Sequence, residues 1–151
     1  MIYNSTRGSL DNFSFEQAVI KGIASDGGLF VPDDFPVLCE HDMDMFGEAS
    51  YKECAANIIN RFIPSFNNGE IRECVNAAYG ENFDSIDVAP LKRVKNGVYS
   101  LELWHGPTAA FKDMALQLTP RLLVTSLKKT QSDKNVAILV ATSGDTGKAA
   151  L

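Results

Sequence analysis

The run Val136-Ala137-Ile138-Leu139-Val140 leads directly into Ala141-Thr142-Ser143-Gly144-Asp145-Thr146-Gly147. A continuous apolar, partly β-branched run is expected for a strand buried on both faces of a parallel sheet. The glycine turn after it reads as the opening of a helix. Upstream, residues 111–129 carry a helical pattern. Before them Val98-Tyr99-Ser100-Leu101-Glu102-Leu103 alternates like a strand and is bounded by Asn96-Gly97. Strand, helix, strand, glycine turn and helix form a βαβα order. Residues 87–151 are therefore expected to begin an α/β domain.

Val88-Ala89-Pro90-Leu91 reads as a further strand. Pro120 falls inside the helical pattern, where it removes the bond to the Leu116 carbonyl at a cost of about 3 kcal/mol. Either the helix kinks there or residues 113–119 and 120–129 are separate segments.

Residues 1–86 are expected to form a mostly helical subdomain with short strands. Met1 to Asp11 is polar and glycine-containing, an edge strand or loop. Ser14-Phe15-Glu16-Gln17 reads as a capping box, followed by Phe15, Ala18, Val19 and Ile23 at the spacing of a three-turn amphipathic helix. Ser25-Asp26-Gly27-Gly28 signals a turn, and Leu29-Phe30-Val31 a short strand cut off by Pro32. Residues 33–47 read as a loop-rich connector. Ser50 and Glu53 then open a second capped helix with an apolar stripe from Cys54 to Phe62, which Pro64 ends. A third helix spans residues 69–79, closed by Gly80.

The totals narrow the function classes. A chain of 151 residues with 45% apolar and 22% charged residues suits one ordinary globular domain. A net charge of −5 without a basic stripe argues against nucleic-acid binding. No apolar run approaches the roughly 20 residues that span a bilayer, and the N-terminus lacks a secretory pattern. The expected location is the cytoplasm. Cys39, Cys54 and Cys74 are far apart, so reduced thiols are expected rather than disulfides. Cys39-Glu40-His41 does not complete a coordination sphere, and no metal is expected. No residue pattern specifies an oligomeric state. Leu151 falls in the first turn of the last expected helix, so the chain reads as the N-terminal part of a longer protein.

Two segments carry chemistry. In Trp104-His105-Gly106-Pro107-Thr108-Ala109-Ala110-Phe111-Lys112-Asp113 a lone lysine stands at a helix start. There the positive end of the helix dipole disfavours an ammonium and favours the nucleophilic amine. The alternative is an exposed Lys112 that pairs with Asp113 or a later acid. Ser143-Gly144-Asp145-Thr146-Gly147 presents unpaired amides and hydroxyls suited to a carboxylate or phosphate. Its alternative is a capping turn without a ligand. Lys148 invites comparison with a phosphate-binding P-loop, but Thr142 and Ala149 occupy positions that need glycine and Ser/Thr.

These residues also carry a resemblance. His105-Gly106-Pro107-Thr108-Ala109-Ala110-Phe111-Lys112-Asp113 closely resembles the cofactor-lysine motif of threonine synthases, members of the tryptophan-synthase-β-like class of pyridoxal-phosphate enzymes. Ala141 to Gly147 resembles their second signature. Ser5-Thr6-Arg7-Gly8 and Gly22 to Pro32 resemble their opening. The resemblance implies that Lys112 carries pyridoxal 5'-phosphate as an imine and serves as the catalytic base. It implies conversion of O-phospho-L-homoserine and water to L-threonine and phosphate, a carbon–oxygen lyase reaction of threonine biosynthesis. It implies that Ser143, Gly144, Asp145 and Thr146 hold the substrate carboxylate, with His105 and Thr108 either lining the site or stabilising its turn. The family's cup for the cofactor phosphate and its partner for the pyridine nitrogen come later in the sequence, so this piece alone is expected to bind cofactor weakly and to be inactive. The alternatives are another pyridoxal-phosphate eliminase, such as a threonine dehydratase, or a non-catalytic homologue.

Overall fold

The structure, a computed structural model, describes residues 1–10, 12–133 and 135–150. In chain order its elements are β1 (Tyr3–Ser5), α1 (Phe15–Lys21), β2 (Phe30–Pro32), α2 (Glu40–Glu48), α3 (Tyr51–Phe62), α4 (Asn68–Ala78), β3 (Leu91–Lys95), β4 (Val98–Leu101), α5 (Asp113–Leu116), α6 (Thr119–Lys129) and α7 (Asp145–Ala150). The expectations that touch Asp11 and Leu151 lie in part outside the described residues.

Reciprocal side-chain caps start the helices of the first half. Gln17 N donates to Ser14 Oγ at 3.3 Å, and Ser14 N donates back to Gln17 Oε1 at 2.9 Å. Ser50 with Glu53 and Asn67 with Glu70 repeat the arrangement at α3 and α4. Each box satisfies two amides that have no partner within the helix. α1 is shorter than expected: it stops at Lys21, and Ile23 lies beyond it, exposed. The reason is Gly22, which caps the helix with a positive φ of 76°.

The connector expected over residues 33–47 contains α2 instead. Asp42 supplies its start by accepting from Cys39 N at 2.8 Å, and it also pairs with Arg61 of α3. The first of these bonds, to the Cys39 backbone, leads the causes that hold the Asp42 carboxyl below the usual range. Acidic residues that read as loop thus form a helix because one of them is tied to its neighbour.

Two antiparallel pairs supply the strands, β1 with β2 and β3 with β4. The second is a hairpin about Asn96-Gly97, with an irregularity between Arg93 and Lys95. Val88 is not in a strand, contrary to expectation. It adopts φ 59° and is 2% exposed, so core burial holds a β-branched residue in a left-handed turn, and β3 begins only at Leu91.

Pro120 divides the helical segment. α5 ends at Leu116, and α6 starts at Thr119 with the proline in its first turn, where a missing N–H costs nothing. Residues 136–140 differ from expectation as well. They pair with no strand among the described residues, and Val136, Ile138, Leu139 and Val140 are exposed. A buried parallel strand needs neighbours on both edges and layers on both faces. None of the described elements supplies them, so the βαβ unit is not closed here.

The core gathers around α4. Ile71, Cys74, Val75 and Ala78 are buried together with Ile63, Phe66, Tyr79, Phe83, Val88 and Leu122. Phe15, Ala55, Ile59, Met114 and Leu118 pack against them half-buried. α6 lies against α1 and α4, so the core draws on residues from both sides of position 86. Tyr79 links this core to α5, since its hydroxyl donates to Met114 O at 2.7 Å and its ring meets Tyr51 edge-on at 5.1 Å. Ile71 is 1% exposed. Ile71→Ala should lower unfolding stability by about 2–5 kcal/mol in a urea titration; a loss under about 1 kcal/mol would contradict this account of the core.

Candidate active site

Beyond β4 the chain is pinned on both sides as it enters the lysine segment. Glu102 N donates to Pro90 O at 3.0 Å, and Asp84 N donates to His105 O at 2.9 Å. His105 is then bracketed by carboxylates, with Nε2 at 2.8 Å from Glu102 Oε2 and Nδ1 at 2.5 Å from Asp84 Oδ1. A neutral imidazole has one N–H and can donate to only one of them, so the pair favours the protonated ring. The Glu102 bond first, and the Asp84 bond second, raise the His105 pKa. Asp84 is 75% exposed, which screens its share. Trp104 stacks on the same ring at 5.6 Å.

The following turn is organised by one buried acid. Asp113 has no exposed surface, and its two carboxylate oxygens accept from Thr108 N at 2.9 Å and Thr108 Oγ1 at 2.8 Å. Gly106 passes so close that a Cβ there would lie 2.5 Å from Asp113 Cβ, which only glycine avoids. Asp113 is therefore not the partner of Lys112, one of the two pairings open to that lysine in the sequence.

Lys112 caps α5 and points the other way. Its Nζ donates to Thr146 Oγ1 on α7. α7 touches the lysine turn a second time, where Lys148 Nζ donates to Thr108 O at 2.9 Å. Ahead of α7, Thr142 Oγ1 accepts from Gly144 N and Gly147 N, both at 3.1 Å, and closes the glycine turn. Ser143, Gly144 and Asp145 are exposed.

Lys112 and Thr146 share a cleft of ≈ 830 Å³ with Tyr51, Ala89, Leu101, Leu103, Phe111, Met114, Ala115 and Leu116. Its walls are apolar apart from the amine and hydroxyls. The structure thus brings together Lys112, Thr146 and, through Lys148, Thr108. His105 is not among the cleft residues, and both its ring nitrogens face carboxylates instead. Among the described residues no cluster of His, Cys, Asp and Glu could hold a metal. Nor is any described helix long and apolar enough to cross a membrane.

Sequence reading gives no role to Asp84 or Glu102 and considers Asp113 only as a pairing partner of Lys112. Glu102 stands three positions before His105 and could have been noticed as a neighbour. Asp84 is 21 positions away, and nothing local signals it. Lys148 enters that reading only through the P-loop pattern, which Thr142 and Ala149 do not fit.

Comparison with known proteins places the chain in a family. The family described as "Threonine synthase N terminus" matches residues 2–79. The chain belongs to that family. It is 41% identical to a threonine synthase of Schizosaccharomyces pombe over 99% of its own length and 30% of the relative's. It is 39% identical to threonine synthase-like 2 of Xenopus laevis, covering 100% of this chain and 32% of that one. The chain thus spans about a third of the length of these curated relatives. Among solved structures, threonine synthase from Brucella melitensis, described as PLP bound, superposes with a TM-score of 0.91 at 36% identity, over 99% of this chain and 32% of that one. The mixed helix–strand fold is therefore that of the N-terminal portion of these family members, and the lysine turn and glycine loop lie within the superposed length.

The paired carboxylates generate a pH dependence. His105 should titrate above the ordinary 6.5. Because its folded-state value is the higher one, its contribution to stability is present in full below the unfolded value and is lost as pH rises through the folded one. Following the His105 ring protons by NMR checks this. Glu102→Gln should lower the titration midpoint, and a midpoint at or below 6.5 in the unaltered protein would contradict the bracketed geometry.

Proposed function

We propose that the intact protein is a pyridoxal-phosphate-dependent threonine synthase that converts O-phospho-L-homoserine and water to L-threonine and phosphate. The observation that carries this reading is the meeting of Lys112 with Thr146 in one apolar cleft, which joins the lysine segment to the glycine loop. In this reading residues 87–151 open the cofactor domain, residues 1–86 form a helical subdomain beside it, and the enzyme works in the cytoplasm.

The residues present fit the cofactor. An aldehyde on a planar aromatic ring needs a nucleophilic amine and apolar walls, and Lys112 lies beside Leu101, Leu103 and Met114 in the cleft. When bound, pyridoxal phosphate supplies an electron sink for charge that develops on the substrate's carbon atoms.

The chain's own groups divide the remaining work. Lys112 Nζ would hold the cofactor at rest and, once released, take the α-proton and return protons along the substrate. Thr146 Oγ1, its partner in the structure, orients that amine. The Ser143 and Thr146 hydroxyls with the amide of Asp145 would bind the substrate carboxylate at the exposed turn that opens α7, while Gly144, whose amide is held by Thr142 Oγ1, would shape that turn. The bonds of Thr108 to Asp113 and of His105 to Glu102 support a turn-stabilising role for these two residues rather than substrate contact.

The test is phosphate release from O-phospho-L-homoserine by the intact protein. Lys112→Ala should lower turnover by about 10³-fold or more, since it removes both anchor and base. Turnover retained in that variant would overturn the assignment of Lys112. Ammonia release from threonine in place of phosphate release would point to a dehydratase.

A further inference from the structure

We propose that Asp113 is a positioning residue for Lys112: its buried carboxylate braces the turn that sets where the lysine amine lies. The inference rests on the proposed role of Lys112.

The brace is visible in the hydrogen bonds. One carboxylate takes both the amide and the hydroxyl of Thr108, five residues earlier, and so closes residues 108–113 into a ring. Gly106 packs directly on the same side chain. Inside the ring Ala109 is held at φ 55°, a left-handed conformation that alanine adopts only when its surroundings impose it. Asp113 N also donates to Ala110 O at 3.0 Å, so backbone and side chain of Asp113 both fold the ring onto itself.

Lys112 sits one residue before this brace, at the cap of a helix of only four residues. A helix that short has no intrinsic stability and cannot fix the direction of a long side chain by itself. The carboxylate can. Hydrogen bonds to a charged group away from water are the stronger kind, and removing the acceptor leaves the half-buried Thr108 amide without a partner. Asp113 is absent from the cleft lining and has no exposed surface, so it acts through Lys112 and not on the substrate.

Asp113→Ala and Asp113→Asn in the intact protein separate geometry from charge. An asparagine can accept from Thr108 N with its oxygen and donate to Thr108 Oγ1 with its amide, so it keeps the ring without the charge. Asp113→Ala should lower kcat about 100-fold, the scale expected when a reacting group is displaced by about 1 Å, with KM little changed. Asp113→Asn should recover kcat to within about tenfold. A second readout needs no turnover: once any bound cofactor has been stripped with hydroxylamine and dialysed away, the rate at which an amine-selective reagent labels Lys112 is mapped by mass spectrometry against Lys129 in the same molecule. Labelling of Lys112 relative to Lys129 should rise several-fold in Asp113→Ala and stay near the unaltered value in Asp113→Asn. Unchanged relative labelling and kcat in a folded Asp113→Ala, or an Asp113→Asn as impaired as the alanine variant, would overturn the proposal. If Asp113→Ala does not fold, Thr108→Val takes its place, since it deletes only the Oγ1 bond. A fall in kcat with faster Lys112 labelling supports the brace, and a change confined to KM overturns it. If the unaltered protein releases no phosphate, the proposed function fails, while the labelling comparison still decides the role of Asp113.

Discussion

One buried face of α4 holds the rest of the molecule in place. Ile71, Val75 and Ala78 are each 1% exposed or less, and what they pack against comes from both ends of the chain. From the first half come Phe15, Ala55 and Ile59, and from the second Met114, Leu118 and Leu122. Apolar burial has no direction of its own, so direction is added by specific polar ties at its margin. The Tyr79 hydroxyl on the Met114 carbonyl is one such tie, and Lys129 on Glu70 is another, with bonds of 2.9 and 3.0 Å. Desolvation of the Tyr79 ring pushes its pKa up, so the hydroxyl stays a proton donor at any physiological pH. Through Met114 this core fixes α5, and α5 begins one residue after Lys112.

From there the site is assembled by exchanges between two short segments. The lysine turn gives Lys112 to Thr146 of α7, and α7 gives Lys148 to Thr108 of the turn. Two crossed contacts resist both sliding and rotation, which one contact would not. This is how a four-residue helix and a six-residue helix, neither stable alone, keep an amine and a hydroxyl in register.

Much of this could be read from the residues. The capping boxes at Ser14 and Ser50 were legible because the signal is local: a hydroxyl and an acceptor three positions apart. The lysine turn and the glycine loop were legible through their resemblance to a family. Three features were not. α2 starts on Asp42 accepting from Cys39 N, a tie that a cysteine in place of a hydroxyl or amide hides from the capping pattern, and the contact of Asp42 with Arg61 spans 19 positions that no periodicity encodes. Val88 reads as strand by propensity, and tertiary burial overrides that propensity. Asp113 looks like a counter-ion for the adjacent lysine, yet its carboxylate turns inward to Thr108. Residues 136–140 illustrate the converse. Their pattern encodes a sheet environment, and a pattern cannot become a strand until partners are present to take its backbone bonds.

The central claim is that Lys112, among all the lysines of this chain, is the amine presented to the cleft. The direct measurement is to load the intact protein with pyridoxal phosphate, reduce it with borohydride and locate the added mass by peptide mapping. The account predicts that the mass lies on Lys112. Modification of Lys148 or another lysine, with Lys112 untouched, would contradict it.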